Sequence, residues 1–291
     1  MKVNEQVHLI RKEFYVTPEV KRFINVYLIV GKYCYLVDSG VKGTQNLNEE
    51  YLKSINRKMT DIKGVFLTHS HPDHIGAAAE IKRQTDCKIY ASAEELPWIE
   101  DIQKQFDQRP IPNFFNLLPE SVKVEQPVRN GEVIELEEGI RICALSTKGH
   151  SHGSMSYILN DEVVFTGDAI PVAKDLPIFI DYEETVKSLD KLQSIPAIRY
   201  YCPAWDEVYN KDEFNITVKN SKDMLSKLKK TVIEVEDELS ECPESEKIKE
   251  VLKRADMLKF SGNPLVIKSI EACGRMGKIR EEQRILKQEV E

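Results

Sequence analysis

Three histidines and one aspartate fall within six residues of this chain, in the sequence HSHPDH at positions 69–74. They follow Thr68 and the apolar run at 64–67, which predicts a strand. Alternate residues of an extended backbone point the same way, so His69 and His71 can reach one ion together. Asp73 and His74 can face a second ion or a bound water. The alternative is a solvated polar loop, but the whole chain holds only six histidines. The cluster therefore predicts a metal site.

Two later segments place similar side chains at the ends of predicted strands. His150 follows the strand predicted at 140–145, and Asp168 follows the hydrophobic run VVFTG at 163–167. Each residue alone would be a surface or capping residue about as often as a ligand. Ligands gathered from several strand ends are typical of catalytic metal sites, whereas structural zinc sites more often use close pairs of cysteines.

Strands alternate with short helices over the first two thirds of the chain, and helices dominate the last third. The predicted strands are residues 23–30, 33–37, 62–67, 87–91, 122–124, 132–136, 140–145, 156–159, 163–165 and 198–202. The predicted helices are residues 47–55, 75–83, 181–195, 212–241, 247–258 and 264–276. Apolar residues recur every three or four positions along 212–241, which indicates an amphipathic helix.

The segment 94–118 interrupts this alternation. It contains four large aromatic residues and the helix breakers Pro110 and Pro112. Because it follows the sheet edge that carries the predicted ligands, we expect it to form part of the substrate pocket or a lid. The alternative is a packed pair of surface helices or an oligomer contact.

Composition predicts a folded, acidic chain. It has 291 residues, 41% hydrophobic and 31% charged, with a formal net charge of −7. These values exclude general disorder and argue against nucleic-acid binding. The first residues carry no secretory signal, and no apolar run approaches the length that spans a bilayer. Six widely spaced cysteines form no Cys-x-x-Cys pair, so we expect reduced thiols in a cytoplasmic protein, with a homo-oligomer left open.

Three motifs in this order, HSHPDH, then Gly-His-Ser at His150, then Phe-Thr-Gly-Asp at Asp168, resemble the metallo-β-lactamase superfamily. Asp38 in LVDSG matches its early aspartate motif, and the resemblance covers roughly residues 5–210. It implies an α+β fold, a four-layer αββα sandwich over residues 1–210, with 211–291 as a helical C-terminal extension packed on it.

The resemblance also implies roles for the residues that match the motifs. His69, His71 and His150 would bind a first metal, Asp73 and His74 a second, and Asp168 would bridge the two. Asp38 would orient ligands through hydrogen bonds. Imidazole and carboxylate ligands suit zinc, iron and manganese alike. We expect one or two zinc ions, with iron or manganese as alternatives.

One position departs from the family pattern. Trp205 stands where the family normally has a histidine, and no histidine occurs after His152. Asp206, Cys202 or His152 could compensate, although a structural role is the simpler interpretation of each. The sequence therefore predicts a complete first site and a weakened second one.

A metal ion with an open position lowers the pKa of its bound water, and the resulting hydroxide attacks an electrophilic centre. Asp73 is predicted to orient the nucleophile and carry its proton to the leaving group. The acidic charge argues against the family's nucleases, and His71 argues against its flavo-di-iron proteins, which usually carry an acid there. We therefore expect a hydrolase of a small ester, thioester or lactone. The alternative is a metal-binding or partner-binding module with a degraded second site and little hydrolase activity.

Overall fold

The computed structural model describes residues 1–173 and 175–274. These residues fall into two compact units. The first unit comprises residues 1–147, 152–169 and 195–211. The second comprises residues 148–151, 170–194 and the described residues from Asp212 onward. The division of the chain at residue 210 stays a prediction.

Eleven strands in the described residues form two sheets, both in the first unit. The first sheet contains, in spatial order, β1 (Val7–Thr17), β2 (Val20–Val30), β3 (Cys34–Val37), β4 (Ile62–Phe66), β5 (Lys88–Ser92) and β6 (Gln126–Val128). The second contains, in spatial order, β11 (Tyr200–Pro203), β10 (Val163–Gly167), β9 (Met155–Leu159), β8 (Ile140–Ser146) and β7 (Val133–Glu137). The first sheet is parallel from β3 to β6, and the second is antiparallel except between β10 and β11.

The two sheets share one apolar core, to which alternate residues of their strands contribute. Phe66 lies at its centre: its ring stacks on Tyr90 at 4.2 Å and meets Tyr157 edge-on at 5.2 Å. The Tyr157 hydroxyl also donates a hydrogen bond of 2.9 Å to the carbonyl of Leu67. Since Phe66 ends β4, this packing fixes the position from which the chain enters the histidine-rich loop.

Short helices of the first unit pack a second apolar core against the first sheet. They are α1 (Thr44–Ser54), α2 (Pro72–Ile75), α3 (Ala78–Thr85), α4 (Leu96–Ile99), α5 (Ile102–Gln108) and α6 (Phe114–Leu117). The three short helices α4 to α6 all lie in the segment 94–118. Phe114 of α6 is 2% exposed, whereas Phe115 is 43% exposed. Part of this segment is therefore core rather than a loose cover.

The helices of the last third are α7 (Tyr182–Ser194), α8 (Lys211–Glu238), α9 (Glu244–Arg254) and α10 (Pro264–Cys273). In α8 the predicted stripe is confirmed, because Leu225, Leu228, Val232 and Val235 are all buried. Of the last predicted helix, 264–276, residues 275 and 276 lie outside the described residues. No helix in the described part of the chain is both long and apolar enough to cross a membrane.

The strand expected at 122–124 was wrong, and the strands β1 and β6 were not predicted. Residues 122–124 alternate buried and exposed side chains like a strand, but their backbone pairs with a helix end. The Val122 N–H donates to the Ile99 carbonyl, and the Val124 N–H donates to the Glu100 carboxylate. The eleven-residue strand β1 was not predicted, because its charged stretch Arg-Lys-Glu at 11–13 interrupts the apolar pattern.

The expected helix 75–83 is in fact two helices, α2 and α3, separated at Gly76 and Ala77. A Cβ at position 76 would lie 2.2 Å from the Leu117 carbonyl oxygen and 2.8 Å from the Val41 Cα. The backbone approach needs a glycine here, which explains the break in the helical pattern.

Candidate metal centre

Both sheets position the loop that carries the first histidines. The Leu67 N–H donates to the Tyr90 carbonyl in the first sheet, and the Met155 N–H of the second sheet donates to the Thr68 carbonyl. His71 is the residue immediately before α2, whose first residue is Pro72, a favoured helix start. The loop is therefore held at both ends and short enough to fix the directions of His69 and His71.

Within the first unit, two groups of the predicted side chains have ligand atoms within 4.8 Å of one another: His69, His71 and Asp168, and Asp73, His74 and Asp168. The His69 Nε2 lies 2.8 Å from the His71 Nδ1 and 3.9 Å from an Asp168 oxygen. The imidazoles of both groups are buried, and the two carboxylates are each 13% exposed. Asp168 belongs to both groups, as a bridging ligand must.

Asp38 and Thr68 determine which nitrogen each neighbouring imidazole presents to the centre. One Asp38 oxygen accepts a hydrogen bond of 2.7 Å from the His74 Nδ1, which leaves the His74 Nε2 as the ligand atom. The Thr68 hydroxyl donates to the same carboxylate at 2.9 Å and can accept from the His69 Nδ1 at 3.0 Å. With its proton on Nδ1, His69 also presents Nε2. Asp38 thus lies where the resemblance implies an orienting carboxylate.

His150 is oriented by its own part of the chain. Its Nδ1 lies 2.8 Å from the carbonyl oxygen of Ile178, to which it can donate. That hydrogen bond leaves the Nε2 of His150 with a lone pair, the form that binds a metal.

The second group has the electrostatics of a cation site. Burial opposes the charged form of His74, but the carboxylates of Asp168, Asp38 and Asp73 outweigh it and raise the His74 pKa well above its ordinary value. The His74 Nε2 lies 3.2 Å from Asp168 and 3.6 Å from Asp73. Burial, together with the charge of Asp168, raises the pKa of Asp73.

Two atoms of this group test the fit of a metal. The Asp73 Oδ2 and the His74 Nε2 are buried, and among the described residues they have ion-pair contacts but no hydrogen bond of good geometry. An unsatisfied buried oxygen and nitrogen are costly unless a ligand completes them. A divalent cation accepts electron pairs from both, so the residues present fit the implied metal.

Trp205, which replaces the expected histidine, lies outside both groups of candidate ligands. The three residues that could compensate for it, Cys202, Asp206 and His152, also lie outside both groups. The Trp205 ring packs edge-on against Phe14 at 6.5 Å, with the Arg22 guanidinium 5.4 Å above it. Cys202 lies in the core between the sheets, where burial raises its pKa. The Asp206 carboxylate accepts from the Tyr209 hydroxyl, and His152 stacks on Trp98 at 5.4 Å. Each therefore has a structural contact of its own.

Three side chains of the segment 94–118 come close to the centre and were missed from the sequence. Glu95 and Gln105 are buried and hydrogen-bond the backbone of Ser70. Burial lowers the pKa of Arg109 to about 10, opposed by the charges of Asp73, Asp168 and Glu95. The one available signal for Glu95 was an acidic residue three positions after the end of β5. Arg109, beside Pro110, carried no signal.

Comparison with known proteins identifies the family. The sequence profile of the Metallo-beta-lactamase superfamily matches residues 20–205, more than half of the chain. The chain belongs to this superfamily. A metallo-beta-lactamase family protein from Thermus thermophilus has a similar fold, with a TM-score of 0.73 at 19% identity, over 97% of this chain and 95% of that one. The α+β metallo-β-lactamase fold with its helical C-terminal extension is confirmed.

Several curated relatives of this superfamily member are named as hydrolases. A probable metallo-hydrolase of Methanocaldococcus jannaschii is 31% identical over 50% of this chain and 66% of its own length. Hydroxyacylglutathione hydrolase GloC of Haemophilus influenzae is 29% identical over 42% of this chain and 56% of its own length. The chain therefore spans between about half and two thirds of the curated relatives it matches.

Proposed function

We propose that this protein is a metal-dependent hydrolase of a small ester, thioester or lactone. The observation that carries the proposal is the pair of ligand groups that share Asp168, with the buried Asp73 Oδ2 and His74 Nε2 left to be completed. His69, His71 and His150 would hold one cation, and Asp73 and His74 would face a second. Zinc is the proposed metal, with iron and manganese as alternatives that the same ligands accept.

A divalent cation bound here would lower the pKa of water and polarise a substrate oxygen. The chain's own groups do the remaining work. Asp38 and Thr68 keep the protons of His74 and His69 on Nδ1, so that both rings present Nε2. Such outer hydrogen bonds typically change metal affinity or activity by about 10- to 100-fold when they are removed.

Asp73 is the proposed proton carrier. Its Oδ2 has no hydrogen-bond partner among the described residues, and burial with the Asp168 charge raises its pKa. A carboxylate of raised pKa can take a proton from the nucleophilic water and return it to the leaving group. Asp168 is also a carboxylate, but it belongs to both ligand groups. It is therefore less free than Asp73 to exchange a proton with the substrate.

The substrate class is proposed from the relatives and the composition. A relative named a hydroxyacylglutathione hydrolase acts, by that name, on an acyl derivative of a thiol. The net charge of −7 disfavours a nucleic-acid substrate. A small carboxylic thioester, ester or lactone is therefore the class to test first, in a protein that we expect to be cytoplasmic.

The test is a hydrolysis panel of thioesters, lactones and phosphodiesters, run on chelator-treated protein and on protein reloaded with zinc, iron or manganese. We expect turnover of a carboxylic substrate only after reloading. Asp73→Asn should lower turnover about hundredfold or more and keep first-site metal. Metal-independent turnover, or turnover of phosphodiesters alone, would contradict the proposal.

One observation favours a second candidate, a metal-binding or partner-binding module with little hydrolase activity. Trp205 replaces the expected histidine and packs against Phe14 and Arg22. Its indole N–H can donate but cannot ligate a metal. A protein that binds metal with the wild-type ligands and hydrolyses nothing in the panel would support this alternative.

A further inference from the structure

Ser70, which separates His69 from His71, has its backbone bonded on both sides. Its N–H donates a hydrogen bond of 2.9 Å to the Glu95 Oε2. Its carbonyl accepts one of 2.7 Å from the Gln105 Nε2. Glu95 has no exposed surface and Gln105 is 2% exposed, so neither bond competes with bulk water. A hydrogen bond to a charged group in such surroundings is about twice as strong as a neutral one.

Glu95 also reaches the segment that follows His150. Its Oε1 accepts a hydrogen bond of 2.6 Å from the N–H of Gly153, three residues after His150. A Cβ at position 153 would lie 3.0 Å from the Glu95 Cγ and 2.8 Å from the Glu94 Cβ. Glycine therefore lets the backbone approach the carboxylate closely. A single carboxylate joins the loop 69–71 to residue 153.

Glu95 directly precedes α4 and Gln105 lies in α5, and side-chain hydrogen bonds stabilise these two helices. The Asp101 side chain caps α5 by accepting from the Lys104 N–H at 3.0 Å. The Trp98 indole of α4 donates to the Gln108 side chain of α5 at 2.8 Å. The Gln105 Nε2 also lies 3.2 Å from the Trp98 carbonyl. The side chains that bond the Ser70 peptide thus lie at or in two short helices that are hydrogen-bonded to each other.

From these contacts we propose that Glu95 and Gln105 are positioning residues that fix the Ser70 peptide, and with it the relative directions of His69 and His71, before metal binds. We call this pair the Ser70 clamp. The effect of the clamp on turnover rests on the proposed function. In this proposal the segment 94–118 orients metal ligands, in addition to any contact that it makes with the substrate. Glu95 touches neither substrate nor metal in this role.

The test uses cobalt(II) as a spectroscopic probe of the ligand geometry in the full chain. Glu95→Gln removes the charge and one of the two acceptors, and Gln105→Ala removes the donor to the Ser70 carbonyl. We expect each variant to bind cobalt(II) about 10- to 100-fold more weakly in a chelator competition. We also expect an altered visible absorption spectrum at saturating metal, and faster hydrogen exchange of the Ser70 amide in metal-free protein.

Matched control variants distinguish an effect on ligand orientation from a general loss of stability. Glu94→Gln makes the same charge change at the exposed neighbouring residue, and Gln103→Ala makes the same truncation on the exposed face of α5. Both controls should keep the wild-type cobalt(II) affinity and spectrum. If Glu95→Gln fails to fold, Gln105→Ala decides the question, because it leaves the buried carboxylate in place.

Wild-type affinity, spectrum and Ser70 exchange in Gln105→Ala, or in a folded Glu95→Gln, would overturn the clamp. The proposed function fails separately, if the wild-type protein binds cobalt(II) and hydrolyses nothing in the panel. In that case the spectral and exchange measurements still test the clamp, since neither needs a substrate.

Discussion

Asp38→Asn isolates the hydrogen bonds that orient the second ligand group. In the wild type one Asp38 oxygen accepts from the Thr68 N–H at 2.8 Å and the other from the His74 Nδ1 at 2.7 Å. Asparagine has the same shape but only one carbonyl oxygen, so its amide nitrogen must face one of these two donors. Asp38 is 2% exposed, which prevents water from relieving the conflict.

The two orientations of the new amide have different costs. If its nitrogen faces His74, the imidazole must move its proton to Nε2 and can no longer ligate, so metal affinity should fall about 10- to 100-fold. If its nitrogen faces Thr68, a buried backbone N–H is left unsatisfied, at about 1–3 kcal/mol of unfolding free energy. Each kcal/mol corresponds to a fall in Tm of about 2–4 °C for a domain of this size.

Metal affinity by chelator competition and Tm of the metal-free protein are therefore measured together. The matched control is Asp86→Asn, since Asp38 (φ 60) and Asp86 (φ 51) share the left-handed backbone conformation that asparagine also tolerates. The Asp86 side chain is 97% exposed, and its control should change neither quantity. A folded Asp38→Asn protein with wild-type affinity and wild-type Tm would refute the assignment of these hydrogen bonds.

Three further substitutions test the centre itself. His69→Ala should remove most bound metal and at least about two decades of hydrolytic rate, because it deletes one ligand of the first group; unchanged metal content by elemental analysis would contradict that ligand assignment. Trp205→His should raise the metal equivalents that survive a chelator wash, whereas two equivalents in washed wild type would show that the second site needs no histidine. Arg109→Met should tighten metal binding severalfold in a chelator titration, since it removes a positive charge near Asp73 and Asp168; weaker binding would show that Arg109 supports the site.

The ligand groups were predictable because their chemistry is concentrated in short motifs. Four candidates occur in six residues after a strand, so the strand end places them at a sheet edge, and alternation along the extended backbone turns His69 and His71 the same way. The strands β2 to β5 and β7 to β11 were predicted for the same reason, since each has a continuous or alternating apolar run.

Other features depend on contacts between distant residues, which sequence pattern does not encode. Gln105 is a polar residue in a short helix, and only the fold brings it to Ser70. Val122 and Val124 have the alternation of a strand, but the backbone partner turned out to be a helix end. β1 was missed because tertiary pairing with β2 overrides the charged stretch in its middle.

The end of β10 meets the start of the histidine loop with no spare volume. A Cβ at Gly167 would lie 2.7 Å from the Thr68 hydroxyl oxygen, and Gly167 has a φ of +51°. Gly167 of the Phe-Thr-Gly-Asp motif therefore leaves the space that the Thr68 side chain occupies, although the two residues are far apart in the sequence. In a library that randomises both positions, we expect residue 167 to return as glycine wherever residue 68 keeps a branched side chain. The residue present at position 68 thus limits which substitutions are tolerated at position 167, and the reverse also holds.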